Sequence, residues 1–435
     1  MIATLIFLIK KHARVIPVLW LITVFVACEA DIEKYTPDPG EADFSTYVAV
    51  GNSLTAGFAN GDLYKSGQEN SFPNMMADQF QHVGLNSFNQ PLMNDELGFG
   101  NRMVLQEMNG ELMPVDMPGD PDPGNFENIY AAEGPFHNMG VPGAKVQHML
   151  IPGYGTLNPY FGRFASDPTS ATMLSDAKDL NPTFFTLWAG SNDILNFATS
   201  GGEGDGITPV TNFSVTLELI INQLTASNAR GAIANIVDIT GIPFFNTIPH
   251  DALALEDEAV VNALNDAYAQ LPHIQFETGN NAFLVADEEH EAGFRHLTSD
   301  ELVLLTLPLQ KVEEEGWGTA VPIPQEYYLS EEQIIEVQEA VTAYNDVIKT
   351  AANQQGLAYV DVHTLLSESE SGIYFDAIAF NNQYISGGVF SLDGVHLTAR
   401  GNAIVANEFI TAINSTYNAS IPRVLVGDFK GILFP

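Results

Sequence analysis

Four short stretches, spread along the chain, carry the residue types needed to open an acyl ester. Gly51-Asn52-Ser53-Leu54 offers a hydroxyl nucleophile, and Asn138-Met139-Gly140-Val141-Pro142-Gly143 a glycine backbone N–H. Gly190-Ser191-Asn192-Asp193 adds a side-chain amide, and Asp393-Gly394-Val395-His396 an imidazole with a carboxylate three residues before it. A serine hydroxyl attacks a carbonyl only when a neighbouring base takes its proton. His396 is the candidate base. The bend that Gly394 permits lets Asp393 fold back to the imidazole and fix its tautomer, leaving the other ring nitrogen for Ser53. Attack then creates an oxyanion, which needs donors fixed in place beforehand. The Ser53 N–H, the Gly143 N–H with no side chain in its way, and the Asn192 amide are the candidates. Taken singly, each has a plainer reading: Ser53 as a turn or helix-capping serine, His396 as a solvated loop histidine.

Such residues need a frame. An apolar, β-branched strand at 46–50 runs into Gly51 and Ser53, and an amphipathic helix at 74–83 follows with Pro73 in its first turn. Further strands are expected at 182–189, 231–239 and 357–362, and helices at 214–226, 331–353 and 403–413. Apolar strands alternating with amphipathic helices imply a parallel sheet covered on both faces. Directly after a strand, Ser53 would stand at the carboxyl edge of that sheet, where ligands bind in such folds. Residues 84–135, rich in Asn, Gly, Pro and Asp and without periodicity, read as a long insertion. Residues 242–330, broken by Pro243, Pro249, Pro272, Pro322 and Pro324, read as a second insertion or lid within a single domain at 44–425.

In order and setting, the four stretches resemble the blocks of the SGNH (GDSL-type) esterase and lipase family. Tyr344-Asn345-Asp346-Val347 and Leu357-Ala358-Tyr359-Val360-Asp361-Val362-His363 are similar to that family's last helix–strand unit. The resemblance covers residues 44–240 and 331–415. It implies an α/β fold, a three-layer α/β/α sandwich with a doubly wound, flavodoxin-like parallel sheet and long loop insertions. It also implies a carboxylic-ester hydrolase with Ser53, His396 and Asp393 catalytic and an oxyanion hole of Ser53, Gly143 and Asn192, using no cofactor and no metal. The family's Asn-x-x-x-x-Gly pattern selects Gly143 over Gly140, which is left to turn geometry, and Asp193 to orienting its loop. One departure is Asn52, where the family usually has Asp; that residue neither attacks nor transfers a proton. Substrates across the family range over lipids, thioesters and acylated carbohydrates. Two other functions share these residues: a surface binding protein that has lost catalysis, and an acyltransferase.

The rest of the chain bounds location and partners. Lys10, Lys11 and Arg14 precede a short apolar run at 15–27 that ends in small residues, the pattern of an export signal. Cys28, the chain's single cysteine, follows it and resembles the lipid-acceptor position of a bacterial lipoprotein, although Phe25 stands where Leu is usual. A signal anchor with an incidental cysteine is the alternative, and neither allows an intrachain disulfide. The expected location is the cell envelope, as an outer-membrane or surface lipoprotein, otherwise periplasmic or secreted, with residues 28–43 an acidic tether. Removing residues 1–27 takes the net charge from −38 to −41. Such an anion repels phosphate backbones, which argues against nucleic acid as partner. Weaker constellations carry little: Asp116, Asp120 and Asp122 lack the spacing of a calcium hand. Glu288, Glu289, His290 and His296 read as an exposed acidic segment rather than a zinc site, residues 201–206 as a flexible link, and His363 as structural.

Overall fold

Five short strands, β1 (Tyr47–Gly51), β2 (Asn138–Gly140), β3 (Phe184–Trp188), β4 (Arg230–Ala234) and β5 (Ala358–Val360), pair in parallel in the order β2-β1-β3-β4-β5. The structure is a computed structural model that describes residues 36–108 and 110–435. The export signal at 1–27, the acceptor Cys28 and the first part of the tether lie outside the described residues. Every residue of β1, β2 and β3 is buried, as strands covered on both faces require.

The helices that position the site are α1 (Ser53–Ala56), α2 (Phe72–Phe80), α3 (Asn192–Ala198), α4 (Val210–Thr225), α5 (Glu331–Gln355) and α6 (Ala399–Tyr417). From β1 the chain crosses to β2 in one direction, and from β3 it moves through β4 to β5 in the other. Right-handed crossovers then put the connecting helices on opposite faces. On one face α2 meets α6: the Phe72 and Phe409 rings stack with centroids 5.0 Å apart, and both lie edge-on to Trp188 at 5.5 and 6.3 Å. On the other, α4 is joined to α5 by the Phe213–Tyr344 stack at 3.9 Å. The result is the expected α/β/α sandwich. Pro73 occupies the first turn of α2, and a Ser330–Gln333 capping box opens α5, whose chain ends in a left-handed Gly356.

Five regions differ from the sequence reading. β2 was not expected, since only three residues make it. Residues 84–135 contain an antiparallel hairpin, Met103–Met108 with Glu111–Asp116, held by ladder bonds rather than by a buried face. Residues 242–330 are a folded module with its own apolar cluster, including Phe276, Phe283, Leu284, Ile323 and Tyr328. There Arg295 bridges Asp287 and Glu301 at 2.6 Å each. The last part of the tether is docked rather than solvated: Glu41 N–H bonds the Tyr417 carbonyl and Ser420 N–H the Asp38 carbonyl, both at 2.8 Å, while Ala42 and Phe44 are buried. At the other end the packed chain runs past 425, with Val426 fully buried. Among the described residues no helix is long and apolar enough to cross a membrane.

Trp188 joins β3 to the α2–α6 layer and donates its indole N–H to the Asn235 carbonyl at 3.0 Å. Trp188→Ala is expected to cost about 3–5 kcal/mol of stability, read as a shifted urea midpoint at unchanged slope.

Candidate active site

Gly51 at the end of β1 pairs with Gly140 of β2 on one side and Trp188 of β3 on the other. Three neighbouring strands therefore end at the same level. The segments that follow them, which hold Ser53, Gly143 and Asn192, emerge together at the carboxyl edge. That is also where the strand order reverses, between β1 and β3, the usual ligand position in open α/β sheets.

Ser53 is the first residue of α1. Asn52 caps that helix, its side-chain oxygen accepting the Leu54 N–H at 3.0 Å, a role that an Asp there would fill with the same atom. Gly140 is not a turn residue, contrary to expectation. It lies in β2, and a Cβ there would stand 2.3 Å from the Ala56 nitrogen, so its bareness lets α1 rest on the sheet. Asn138 fastens the same contact by donating its amide to the Thr55 carbonyl at 2.9 Å.

The fourth block closes over Ser53. His396 Nε2 lies 2.8 Å from Ser53 Oγ, and His396 Nδ1 lies 2.9 Å from Asp393 Oδ2. Asp393 accepts four more hydrogen bonds: Ser391 hydroxyl at 3.0 Å, Val395 N–H at 2.9 Å and His396 N–H at 2.8 Å on Oδ1, and Gly61 N–H at 3.0 Å on Oδ2. Burial alone would push this carboxyl up. The adjacent His396 and the N–H donors outweigh it and hold Asp393 well below the usual carboxylate range, so it is an anion at neutral pH. The Phe58 ring lies against the imidazole with centroids 4.6 Å apart, and the Phe58 N–H bonds the Ser53 carbonyl at 3.0 Å.

The remaining predicted residues stand in the segments that follow the neighbouring strands. Gly143 has φ +76°, a left-handed conformation that favours glycine, and open space where a side chain would stand. Asn192 heads α3 and donates one amide N–H to the Ala144 carbonyl at 3.1 Å, which leaves its second N–H for a ligand. Asp193 accepts the Val146 N–H at 2.9 Å, and Asn158 donates to the Pro142 carbonyl at 2.9 Å, so the loop bearing Gly143 is pinned from both sides. The Ser53 N–H, in the first turn of α1, has no partner within its own helix.

Thus the structure hydrogen-bonds Ser53, His396 and Asp393 in a row and brings Gly143 and Asn192 to the same edge. Cys28 lies outside the described residues. Sequence reasoning missed Phe58, Asn60, Gly61 and Ser391; Asn60 and Ser391 are 331 positions apart, and no local pattern links them. His363 is held away from the row, its ring bonded to the Ile236 carbonyl at 3.1 Å. Among the described residues no group of three or more His, Cys, Asp or Glu is placed to hold a metal ion.

A sheet of this order with a serine, histidine and carboxylate aligned at its switch point has the architecture of the SGNH hydrolases. Residues 47–409 match the family model described as GDSL-like Lipase/Acylhydrolase, and the chain belongs to that family of carboxylic-ester hydrolases. Among similar solved structures is Axe2, an acetylxylan esterase from Geobacillus stearothermophilus. It has 11% identity and a TM-score of 0.37, with 86% of this chain and 96% of that one covered. Another is LAE5, an α/β hydrolase enzyme from the metagenome of Lake Arreo, Spain, at 11% identity and TM-score 0.36, with 86% and 97% covered. Comparison with curated proteins gives no match.

The Gly140 contact has a measurable consequence. Gly140→Ala is expected to force α1 off β2, costing about 1–3 kcal/mol by overpacking and displacing Ser53. Thermal melting and turnover of one activated ester should both fall; unchanged turnover would mean that the contact does not set the serine's position.

Proposed function

We propose that the chain hydrolyses carboxylic esters through an acyl-enzyme formed on Ser53. The observation that carries this reading is the continuous hydrogen-bonded row from Ser53 Oγ through both nitrogens of His396 to Asp393, at 2.8 and 2.9 Å. As Ser53 Oγ attacks the carbonyl carbon, His396 Nε2 takes its proton, and the Asp393 anion stabilises the imidazolium. The carbonyl oxygen becomes an oxyanion held by the Ser53 N–H, the Gly143 N–H and the free N–H of Asn192. Collapse expels the alcohol, which receives the proton from His396. Water, deprotonated by the same nitrogen, then attacks the acyl-enzyme; as the acyl–Oγ bond breaks and the acid leaves, His396 returns the proton to Ser53 Oγ. Phe58 supports the imidazole ring between these two transfers.

The substrate on this reading is a small-molecule, lipid or acylated-carbohydrate ester, with no cofactor. A fluorophosphonate probe should label the purified protein at Ser53. A series of p-nitrophenyl esters of graded chain length, set beside acetylated sugars, should show which acyl groups turn over.

Ser53→Ala and His396→Ala should nearly abolish hydrolysis. Asn192→Ala removes one oxyanion donor and should lower kcat on the order of 10²–10³. The three variants are compared on one activated ester, with circular dichroism as the folding control. A folded Ser53→Ala protein with wild-type turnover would rule out Ser53 as the nucleophile.

We also propose that the mature protein is held at the cell envelope through a lipid on Cys28, a reading supported by the charged and apolar pattern before it. Cys28→Ser should release the protein from the membrane fraction and remove the lipid mass from its N-terminus. Mass spectrometry of the wild-type N-terminus without lipid would defeat this reading.

A further inference from the structure

Asn60 follows the serine helix and occupies a left-handed conformation, φ +53°, which asparagine tolerates better than most residues. Its backbone N–H donates to Ser391 Oγ at 2.9 Å, and its side-chain oxygen accepts the Leu392 N–H at 3.0 Å. It thus grips both residues that precede Asp393. Ser391 is 1% exposed, and its hydroxyl donates onward to Asp393 Oδ1 at 3.0 Å. The next residue, Gly61, donates its N–H to Oδ2 at 3.0 Å, and the Asn60 amide N–H reaches the Tyr64 hydroxyl at 2.8 Å.

We infer that Asn60 and Ser391 are positioning residues that hold the Asp393 carboxylate in line with His396, an inference that rests on the Ser53 mechanism proposed above. A serine hydroxyl can rotate and donate to any nearby acceptor. Here the Asn60 N–H occupies one lone pair of Ser391 Oγ, which turns the hydroxyl proton toward Asp393. The relay Asn60 N–H to Ser391 O–H to Asp393 is polarised in one direction and ends on an anion, where each hydrogen bond strengthens the next. It also gives nucleophile and acid a second connection. The first runs through His396; this one runs from Ser53 along the chain to Asn60 and across to Ser391. The imidazole is therefore seated between two groups whose separation is fixed without it.

A merely structural role would lower the melting temperature and leave turnover alone. A positioning role acts when the imidazolium forms, so it lowers kcat and leaves KM unchanged. The test uses the full chain on one activated ester, with thermal melting and fluorophosphonate labelling rates alongside. Its variants are Ser391→Ala, Asn60→Gly and their double mutant. Asn60→Gly keeps the left-handed backbone and its N–H but removes the hold on Leu392.

Ser391→Ala should lower kcat and labelling rate by about tenfold, the equivalent of one hydrogen bond to a charged group, and Asn60→Gly, which removes a bond between neutral groups, by about threefold, both at unchanged KM. The double mutant should lose less than the product of the two, because both act through one carboxylate. Ser391→Thr, which keeps the hydroxyl, should recover most of the turnover lost in Ser391→Ala. If Ser391→Ala fails to fold, Asn60→Gly carries the test. The inference is overturned if folded variants keep kcat within about twofold of wild type, or if the loss falls in KM alone. Failure of the underlying mechanism looks different: the wild-type protein would escape the probe and Ser53→Ala would remain active.

Discussion

An imidazole that must serve two partners at once can be placed only if both partners are fixed first. Ser53 and His396 are 343 positions apart, yet their side chains meet at 2.8 Å. A shift of about 1 Å would turn that hydrogen bond into a mere contact. The order of the sheet serves this one distance. The register that matches Gly51 with Gly140 and Trp188 fixes α1, and with it the serine. α6, packed through Phe409 on Trp188 and Phe72, begins just after His396 and fixes the other partner. Ser53 and His396 are both anchored to Trp188, one by strand pairing and one by ring packing.

Electrostatics single out the other partner of the same imidazole, Asp393. The chain carries a net charge of −38, and several of its carboxylates are buried. Burial raises the carboxyls of Asp62, Asp176 and Asp193 above their ordinary value despite the N–H and hydroxyl donors around them. A group whose pKa rises on folding opposes the fold once it ionises, so these three weigh against stability as pH rises. Asp393 is the contrast. Burial acts on it in the same direction, but the adjacent imidazole and the converging N–H groups overcome it. Its lowered value contributes stability at neutral pH that is lost as pH falls into the acid range. The difference is a neighbouring cation-former, which the other three lack as a leading influence.

Much of this could be read from the sequence, for identifiable reasons. β1 and β3 are apolar runs that end in glycine, and both appear within about two residues of the expected place. The four blocks are contiguous, so their chemistry is written locally: an Asp three residues before a His, a Gly after a Pro, an Asn after a Gly-Ser. β2 was not legible because Asn138-Met139-Gly140 has no strand pattern of its own; it is a strand only because Gly51 lies beside it. Gly140 was misread for the same reason, since its constraint comes from Ala56, a residue more than eighty positions earlier. Asn60 and Ser391 escaped entirely. Each is an ordinary polar loop residue until the fold brings them within 2.9 Å.

The inserted module at 242–330 shows how far the site's dependence extends. Its own apolar cluster means that it could have been hung from the sheet as an independent appendage. It is instead attached at the most sensitive place. The Phe244 N–H bonds the Gly394 carbonyl at 3.0 Å, and the Leu305 N–H bonds the Phe244 carbonyl at 2.9 Å. A Cβ on Gly394 would come within 2.9 Å of the Leu305 side chain, so no space separates the module from the bend between Asp393 and His396. That bend is consequently clamped from two sides, by the segment after the serine helix through Ser391 and by the module through Gly394. The two clamps come from segments far apart in the chain, at residues 60–61 and 244–305, which makes the position of His396 a property of the whole fold.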